Sequence, residues 1–453
     1  MSLVRVTRMA NSVSEAISAL NEQVLHTVSR RRIEQQDLIR VEVALKSFDL
    51  LAWLSSQRES TKFYWRDRET GTEYAGLGAI ETITLDSTGS LRQLDDAIVR
   101  RSEPNLRWYG GLPFDLSRPP DKDRNDFSYG RFVLPGIEVE MAGDSATLAC
   151  NIALHDSRLY SRLACLGDID PRIWNENDSF AIRDRREFPS RETWDRTIES
   201  ILGDITAGTI RKLVPARQVI LDLAEPLNPY RALARLKAQG GAVSLFCFQA
   251  DDSSAFIGAS PERLYKRRGR TIETEAIAGT ITRGSNPEED SRLATQLLAS
   301  DKDRREHELV VDFLRESLEP LTNSLSVDKT SVLTLPHLQH LRTLIRGKLR
   351  ESVSDSDLLT ALHPTPAVAG LPRETALELI REIEPFDRGW YAGPVGWIGA
   401  DEAEFAVAIR SVLVTGNQLI LTAGAGIVEG SDARAEWEET EQKIRSTLDT
   451  ILP

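Results

Sequence analysis

The strand-like segments of this chain follow one another without the strict strand–helix–strand alternation that a parallel sheet requires. From about residue 49 to 160, short apolar runs such as Thr82-Ile-Thr-Leu and Arg131-Phe-Val-Leu are separated by Gly, Pro and Asp. That is the pattern of antiparallel strands joined by turns. Further strand-like runs lie at 213–223, 242–248, 270–275, 391–399, 405–415 and 418–423. Helical spacing is read from 192 onward, where Trp194, Ile198, Ile201 and Ile205 share a stripe, and at 288–319, 355–361, 373–383 and 433–452. Near the start, Ile17, Leu20 and Val24, continued by Val41 and Leu45, extend a helical spacing over 13–48, with a basic run at Arg30 to Arg32. Runs of strands punctuated by helices predict an α+β fold on a mostly antiparallel sheet. A polar run at 183–191 divides the chain into an N-terminal region, 1–190, and a motif-dense region, 191–453; the stretch 117–126 is a loop by composition.

At 453 residues the chain buries enough surface to fold without staples. Its three cysteines, Cys150, Cys165 and Cys247, are too scattered to form a disulfide framework or a CxxC pair, which suits a reducing cytoplasm. A net charge of −13 leaves no basic excess for phosphate backbones, so nucleic acid is not an expected partner. No signal-like segment opens the chain and no apolar run is long enough to cross a bilayer, so neither secretion nor a membrane is expected.

Common catalytic signatures are missing. There is no phosphate-binding GxxxxGK, and His307-Glu308 lacks the second histidine of a zinc helix. In Gly424-Ala-Gly426-Ile-Val-Glu-Gly430 the third glycine stands one place too far for a dinucleotide site. His337 and His340 alone are too few for zinc. What remains is carboxylates in odd places. Glu306 falls on the same helix face as Val310 and Phe313, one turn after Asp303. A buried carboxylate needs a cation or a proton, although exposure at a frayed helix end or pairing with an arginine also accounts for it. In the last helix Glu436, Glu439 and Lys443 align at i, i+3 and i+7. They form either an ordinary Glu–Lys pair on a solvated face or half of a site for a hard dication, magnesium being the one that suits sparse oxygen ligands. Lys212 opens an apolar strand, Glu262 follows Ser260-Pro261 in a turn, and Arg410 ends the run Phe405-Ala-Val-Ala-Ile. Backbone N–H groups of the turn Ala423-Gly-Ala-Gly-Ile offer an anion site.

Together these stretches resemble the chorismate-binding enzymes, which include isochorismate, salicylate, anthranilate and aminodeoxychorismate synthases. The resemblance is carried by Lys212-Leu-Val-Pro-Ala-Arg217, Gly258-Ala-Ser-Pro-Glu262-Arg, Thr274-Glu-Ala-Ile-Ala-Gly-Thr280, Glu306-His307, His340-Leu, Leu362-His-Pro-Thr-Pro-Ala-Val368, Tyr391-Ala-Gly-Pro-Val-Gly396, Phe405 to Arg410 and Ala423 to Val428, then Glu439 and Lys443. It spans about 190–450; in the N-terminal region Phe63-Tyr-Trp-Arg-Asp-Arg and Gly110-Gly carry it less specifically.

The resemblance implies two layered sheets flanked by helices, as in anthranilate synthase component I, with the N-terminal region built into the same unit. It casts Lys212 as the base that activates water and Glu262 as the acid. Glu306 and Glu439 become the magnesium ligands, with Asp303 and Glu436 in support through water. Tyr391 and Arg410 would hold the enolpyruvyl carboxylate. Gly279, Thr280, Gly424, Gly426 and Lys443 would form the ring-carboxylate pocket, with His340 and Ala367 lining it. A lysine at 212 points to water rather than ammonia as nucleophile, so no glutaminase subunit is expected, and Ala367 rather than Thr favours isochorismate synthase over salicylate synthase, which would also expel pyruvate. Isochorismate for menaquinone is favoured over isochorismate for a siderophore. A chorismate-binding subunit without catalysis is the alternative outside enzymes. Pro215 departs from the leucine that relatives often carry. For the implied reaction the amine must start neutral and the carboxyl protonated, and burial favours the uncharged form of each.

Overall fold

The computed structural model describes residues 2–30, 38–85, 90–101, 105–118, 126–153, 158–170, 173–174, 181–334 and 338–452. Two large sheets dominate them. The first has twelve strands and runs from Ser2–Ala10 at one edge, through Lys62–Arg66, Ser244–Gln249, Ser254–Ser260, Ser411–Thr415, Gln418–Gly424 and Ala216–Leu223, to Ile182–Phe188 at the other. The second has ten strands; its centre is Thr271–Thr282, Arg263–Arg268, Glu402–Val407 and Pro394–Ile398. Ser2–Ala10 pairs in parallel with Leu38–Lys46; the neighbours through the centre of both sheets are antiparallel.

Side-chain alternation along the strands explains the layering. Phe63 and Trp65 turn to one side and Tyr64 to the other; Phe246 and Phe248 alternate with Leu245 and Cys247 in the same way. The inward residues of the first sheet meet Tyr109, Trp390, Val395 and Trp397, so that one aromatic layer lies between the sheets. Trp65 stacks on Phe246 with ring centroids 6.5 Å apart. Each such buried aromatic contributes roughly 1.5–3 kcal/mol. Helices cover the outer faces: Val13–Arg30, Pro229–Gln239 and Ala433–Ile451 pack on the first sheet and Asp301–Leu318 on the second, while Arg191–Thr206 lies against Ala433–Ile451.

The N-terminal region supplies strands to both sheets. Lys62–Arg66 pairs with Ser244–Gln249, Trp65 opposite Phe246, and Trp108–Gly111 pairs with Pro394–Ile398. The polar run expected as a divider is itself a strand, Ile182–Phe188, on the edge of the first sheet against Ala216–Leu223. Edge position explains its polarity: one side is open to water.

Several expectations are corrected. The helical spacing over 13–48 ends at Arg30, and Val41 and Leu45 belong to the strand Leu38–Lys46, where the alternation Ile39, Val41, Val43, Leu45 wins. Arg31 and Arg32 lie outside the described residues, as do 119–125 of the loop and His337. The helix expected over 288–319 is two, Pro287–Ala299 and Asp301–Leu318. Ser300 stands between them as the cap of the second, its side chain accepting from the Asp303 N–H at 3.3 Å. The run 405–415 is also two strands, broken at Arg410, which takes φ 52°. The helices Asp355–Leu362 and Arg373–Ile383 and the strand Gln418–Gly424 fall where the patterns place them, whereas the strand read at 213–223 is broken at Val214-Pro215, that read at 270–275 runs on to Thr282, and the stretch 49–160 read as strands also holds the helices Leu50–Ser56 and Arg92–Arg101.

Candidate active site

A cavity of about 220 Å³ opens beside the short pairing of Lys212–Leu213 with Gly370–Leu371, and the helices Asp301–Leu318 and Ala433–Ile451 contribute to its wall. All fifteen residues singled out from the sequence line it: Lys212, Glu262, Gly279, Thr280, Asp303, Glu306, His340, Ala367, Tyr391, Arg410, Gly424, Gly426, Glu436, Glu439 and Lys443. Lys302 lines it as well and was missed by sequence reasoning.

Lys212 is placed by backbone. Leu213 exchanges both main-chain hydrogen bonds with Ile427, and the Pro215 carbonyl accepts from the Ala425 N–H at 3.2 Å. Pro215 sits in the gap between Lys212–Leu213 and Ala216–Leu223, where its missing N–H costs no ladder bond. The same bonds consume the Ala425 and Ile427 N–H groups, so the anion site read into this turn loses two of its donors. The lysine side chain is 1 % exposed, and its ammonium lies 2.8 Å from Glu306 Oε1. Gly426 makes this approach possible: a Cβ there would come within 2.8 Å of the same oxygen and 3.1 Å of Lys212 Cε.

Glu262 is buried at the end of the turn Ser260-Pro261, its N–H donating to Ser260 Oγ and its carbonyl accepting from Val407 N–H. Burial, and then the charge of Glu275, raise its carboxyl to about 8, against the opposing pull of Lys212, Arg68 and Lys443. A carboxyl with that value holds its proton at neutral pH and can give it away.

The strained backbone gathers here too. Ala392 and Arg410 are the two non-glycine residues recorded with positive φ among the described residues, at 62° and 52°, and conformations of that kind persist where the surroundings impose them. Arg410 is half-buried, and loss of water around it lowers its guanidinium from the usual value while Tyr391 and Glu439 oppose. Burial raises the Tyr391 phenol to about 12, with Arg388 opposing. Gly279, φ 73°, lies at an irregularity between Ala278 and Thr280, where a Cβ would meet Asp303 Cβ at 3.0 Å. Thr280 Oγ1 and His340 Nδ1 are 3.1 Å apart, and burial and then Arg410 hold His340 down at about 4, so the ring is neutral.

The three helix-borne glutamates are each matched to a lysine: Glu306 to Lys212, Glu439 to Lys443 at 2.7 Å, and Glu436 to Lys302 at 3.6 Å. Lys443 also donates to the Gly424 carbonyl at 2.8 Å. The Glu–Lys pair at i, i+4 therefore exists, but on the cavity side of the last helix. Asp303 is engaged by Ser300 Oγ. No three ligand side chains close into a tight metal cluster among the described residues. The charges still fit a cation: Glu436 is raised by burial and then by Glu439, with Glu306 adding to it. A carboxyl that its carboxylate neighbours push up marks a cluster of hard oxygens with room for a further positive charge.

A model of the chorismate-binding enzymes matches residues 21–452. The isochorismate synthase MenF of Escherichia coli is 35 % identical over 419 residues, covering 90 % of this chain and 91 % of that protein. The salicylate biosynthesis isochorismate synthase of Pseudomonas aeruginosa is 33 % identical over 423 residues, 88 % and 86 % of the two chains. The solved structure of MenF, the menaquinone-specific isochorismate synthase from Escherichia coli, superposes with a TM-score of 0.86 at 32 % identity, over 97 % of this chain and all of the other.

Proposed function

The chain belongs to the chorismate-binding enzyme family, and from that premise we propose that it isomerises chorismate to isochorismate, by attack of water at C2 with loss of the C4 hydroxyl. The observation that carries this reading is the pairing in one cavity of a fully buried lysine with a buried carboxyl that stays protonated near neutrality. Hydroxide is scarce and an oxyanion leaves poorly at that pH. A base that takes the proton of water and an acid that gives one to the departing oxygen each contribute roughly 10²–10⁴-fold. Lys212 is the base and Glu262 the acid. The base must be a free amine, so the working arrangement separates Lys212 from Glu306.

Glu306 and Glu439, with Asp303 and Glu436 through water, would hold a magnesium ion. Bound there, the ion neutralises carboxylate charge and polarises substrate oxygens. The chain's own cations meet the substrate elsewhere: Arg410, with Tyr391, takes the enolpyruvyl carboxylate. Gly424, Gly426, Gly279, Thr280 and Lys443 receive the ring carboxylate, and His340 and Ala367 close the wall. Four cationic side chains share the cavity with five carboxyls. A dianionic substrate therefore needs the extra positive charge.

The product serves menaquinone assembly, a reading supported by the similarity to the MenF proteins along nearly the whole chain. No ammonia-supplying subunit is required for a water nucleophile. No helix among the described residues is long and apolar enough to cross a membrane, and three cysteines outside any disulfide suit a cytoplasmic setting. Chromatography of chorismate incubated with the protein and Mg²⁺ tests the proposal. Isochorismate should form without stoichiometric pyruvate and cease with EDTA. Steady release of salicylate and pyruvate would make the protein a salicylate synthase instead.

A further inference from the structure

The N-terminal motif ending in Asp67-Arg68 has no part in the reaction described so far, yet its loop reaches the catalytic turn. The loop joins Lys62–Arg66 to Glu73–Leu77 in the first sheet. It is rigidly shaped: Asp67 Oδ1 accepts from the Glu69 N–H at 2.7 Å and the Thr70 N–H at 3.0 Å. Three consecutive residues of alternating charge then meet three partners on the second sheet. Asp67 pairs with Lys266, Glu69 with Arg263 at 2.9 Å, and Arg68 with Glu275 at 2.5 Å. The Arg68 fork is divided: its other terminal nitrogen donates to the carbonyl of Pro261, at 2.5 Å. Glu275 is fully used. Besides Arg68 it accepts from Arg342 Nε at 2.8 Å and from the backbone N–H of Arg263, the residue after the acid, at 3.3 Å.

We infer that Arg68 and Glu275 are positioning residues for Glu262: the guanidinium ties the carbonyl just before the acid, and the carboxylate ties the amide just after it, into one buried ion pair. Both side chains are almost fully buried, 4 % and 0 % exposed, so the pair is not loosened by water as a surface pair is. It also shapes the charge that the acid faces. The ionised groups acting on Glu262 are Glu275, Lys212, Arg68 and Lys443, from four different elements. Glu275 is the one that opposes loss of the proton, and Arg68 is one of three that favour it. The ion pair therefore holds the acid while its carboxylate keeps the acid loaded, and the N-terminal region acts in the chemistry without touching substrate.

This inference rests on Glu262 being the acid, and the test separates the two. Turnover and KM are measured for Arg68→Met, Arg68→Lys and Glu275→Gln, each with native Glu262 and with Glu262→Gln, across pH 6–10. Arg68→Met should lower kcat about 10–100-fold with little change in KM. In the Glu262→Gln background the same change should cost less than about threefold, because positioned and mispositioned amides are equally unable to give a proton. Arg68→Lys, which keeps the charge but not the fork, should recover part of the loss. Glu275→Gln should move the alkaline limb of kcat to lower pH, and Arg68→Met should move it to higher pH. Opposite shifts are not what general loosening produces. Equal losses from Arg68→Met in both backgrounds, or a limb that Glu275→Gln leaves in place, would overturn the inference. Should Arg68→Met not fold, Arg68→Lys and Glu275→Gln decide it alone. Wild-type turnover in Glu262→Gln by itself would instead remove the acid assignment.

Discussion

The cavity is built from two kinds of element, and they treat charge differently. Lys212, Glu262, Thr280, Tyr391 and Arg410 stand on or beside strands, where ladder register and tight turns fix them, and Lys212, Glu262 and Tyr391 among them are deeply buried. Asp303, Glu306, Glu436, Glu439 and Lys443 stand on two helices, and their carboxylates are held mainly by single lysine contacts. Strand-borne groups are placed by backbone, although Lys212 takes its carboxylate partner from a helix. Helix-borne groups have partners that a competing cation can replace. Proton transfer needs the first kind of fixity; taking up and releasing an ion with its substrate needs the second.

The sharpest way to break this division is to remove proton transfer alone. Lys212→Ala and Glu262→Gln should each lower kcat by about 10²–10⁴-fold while chorismate still binds, as measured by steady-state kinetics together with titration calorimetry. A loss confined to KM would show that these residues bind rather than react. The pH profile adds a sign. As the proposed acid Glu262 would have to be protonated, so turnover should hold up to about pH 8 and fall about tenfold per unit beyond it.

A smaller effect is expected on the helices. Glu436→Gln should weaken apparent Mg²⁺ affinity by about 10–100-fold and leave kcat near normal at saturating Mg²⁺. Calorimetry of Mg²⁺ alone gives a second readout. Unchanged Mg²⁺ affinity would take Glu436 out of the ion's surroundings.

The two kinds of element were also unequally legible. The strand-borne residues sit in compact motifs, in which a lysine entering an apolar strand or a carboxyl after Ser-Pro is odd enough to notice. Glu306 was visible as a carboxylate on an otherwise apolar helix face and Glu439 only as one of three aligned charges, and nothing in the sequence says that the two helices look into one cavity. Lys302 was invisible because a lysine in a first helical turn is ordinary. Arg68 and Glu275 are 207 residues apart, and only the stacking of the two sheets makes them partners. The helix break at Ser300 had a signal, a serine three residues before Asp303, which the continuous helical spacing masked. The misread stretch Leu38–Lys46 carried both periods, since Val41 and Leu45 fit four-residue spacing as well as two. Arg410's positive φ has no sequence signature, because any residue other than glycine or asparagine resists it.

Gly426 lies where the two kinds of element touch, between Lys212 and Glu306. Gly426→Ala puts a methyl 2.8 Å from the carboxylate oxygen and 3.1 Å from the lysine stem. The carboxylate, being on a helix and partly exposed, should yield before the strand does. The variant is therefore expected to lose Mg²⁺ affinity more than it loses rate at saturating Mg²⁺, with kcat within about tenfold of normal. A larger loss in kcat than in affinity would mean that the strand had moved instead.

The smallest effect is on stability, and it runs against activity. The carboxyl of Glu262 goes from an ordinary value when unfolded to about 8 when folded. Between those values the folded chain holds a proton that the unfolded chain has released. Stability is thus fully spared below the ordinary carboxylate range and is lost progressively as pH rises toward 8, where the folded protein must either keep the proton or bury a charge. Glu262→Gln has no proton to release. Its melting temperature should match the parent near pH 4 and exceed it at pH 9, by on the order of a few degrees for a chain of this size. Lys212→Ala should show no such gain, because it leaves the buried carboxyl in place and removes a cation that helps it ionise. Parallel melting curves for Glu262→Gln and the parent at both pH values would mean that the carboxyl is hydrated in the folded state, and the strand-borne half of the site would then be no more fixed than the helix-borne half.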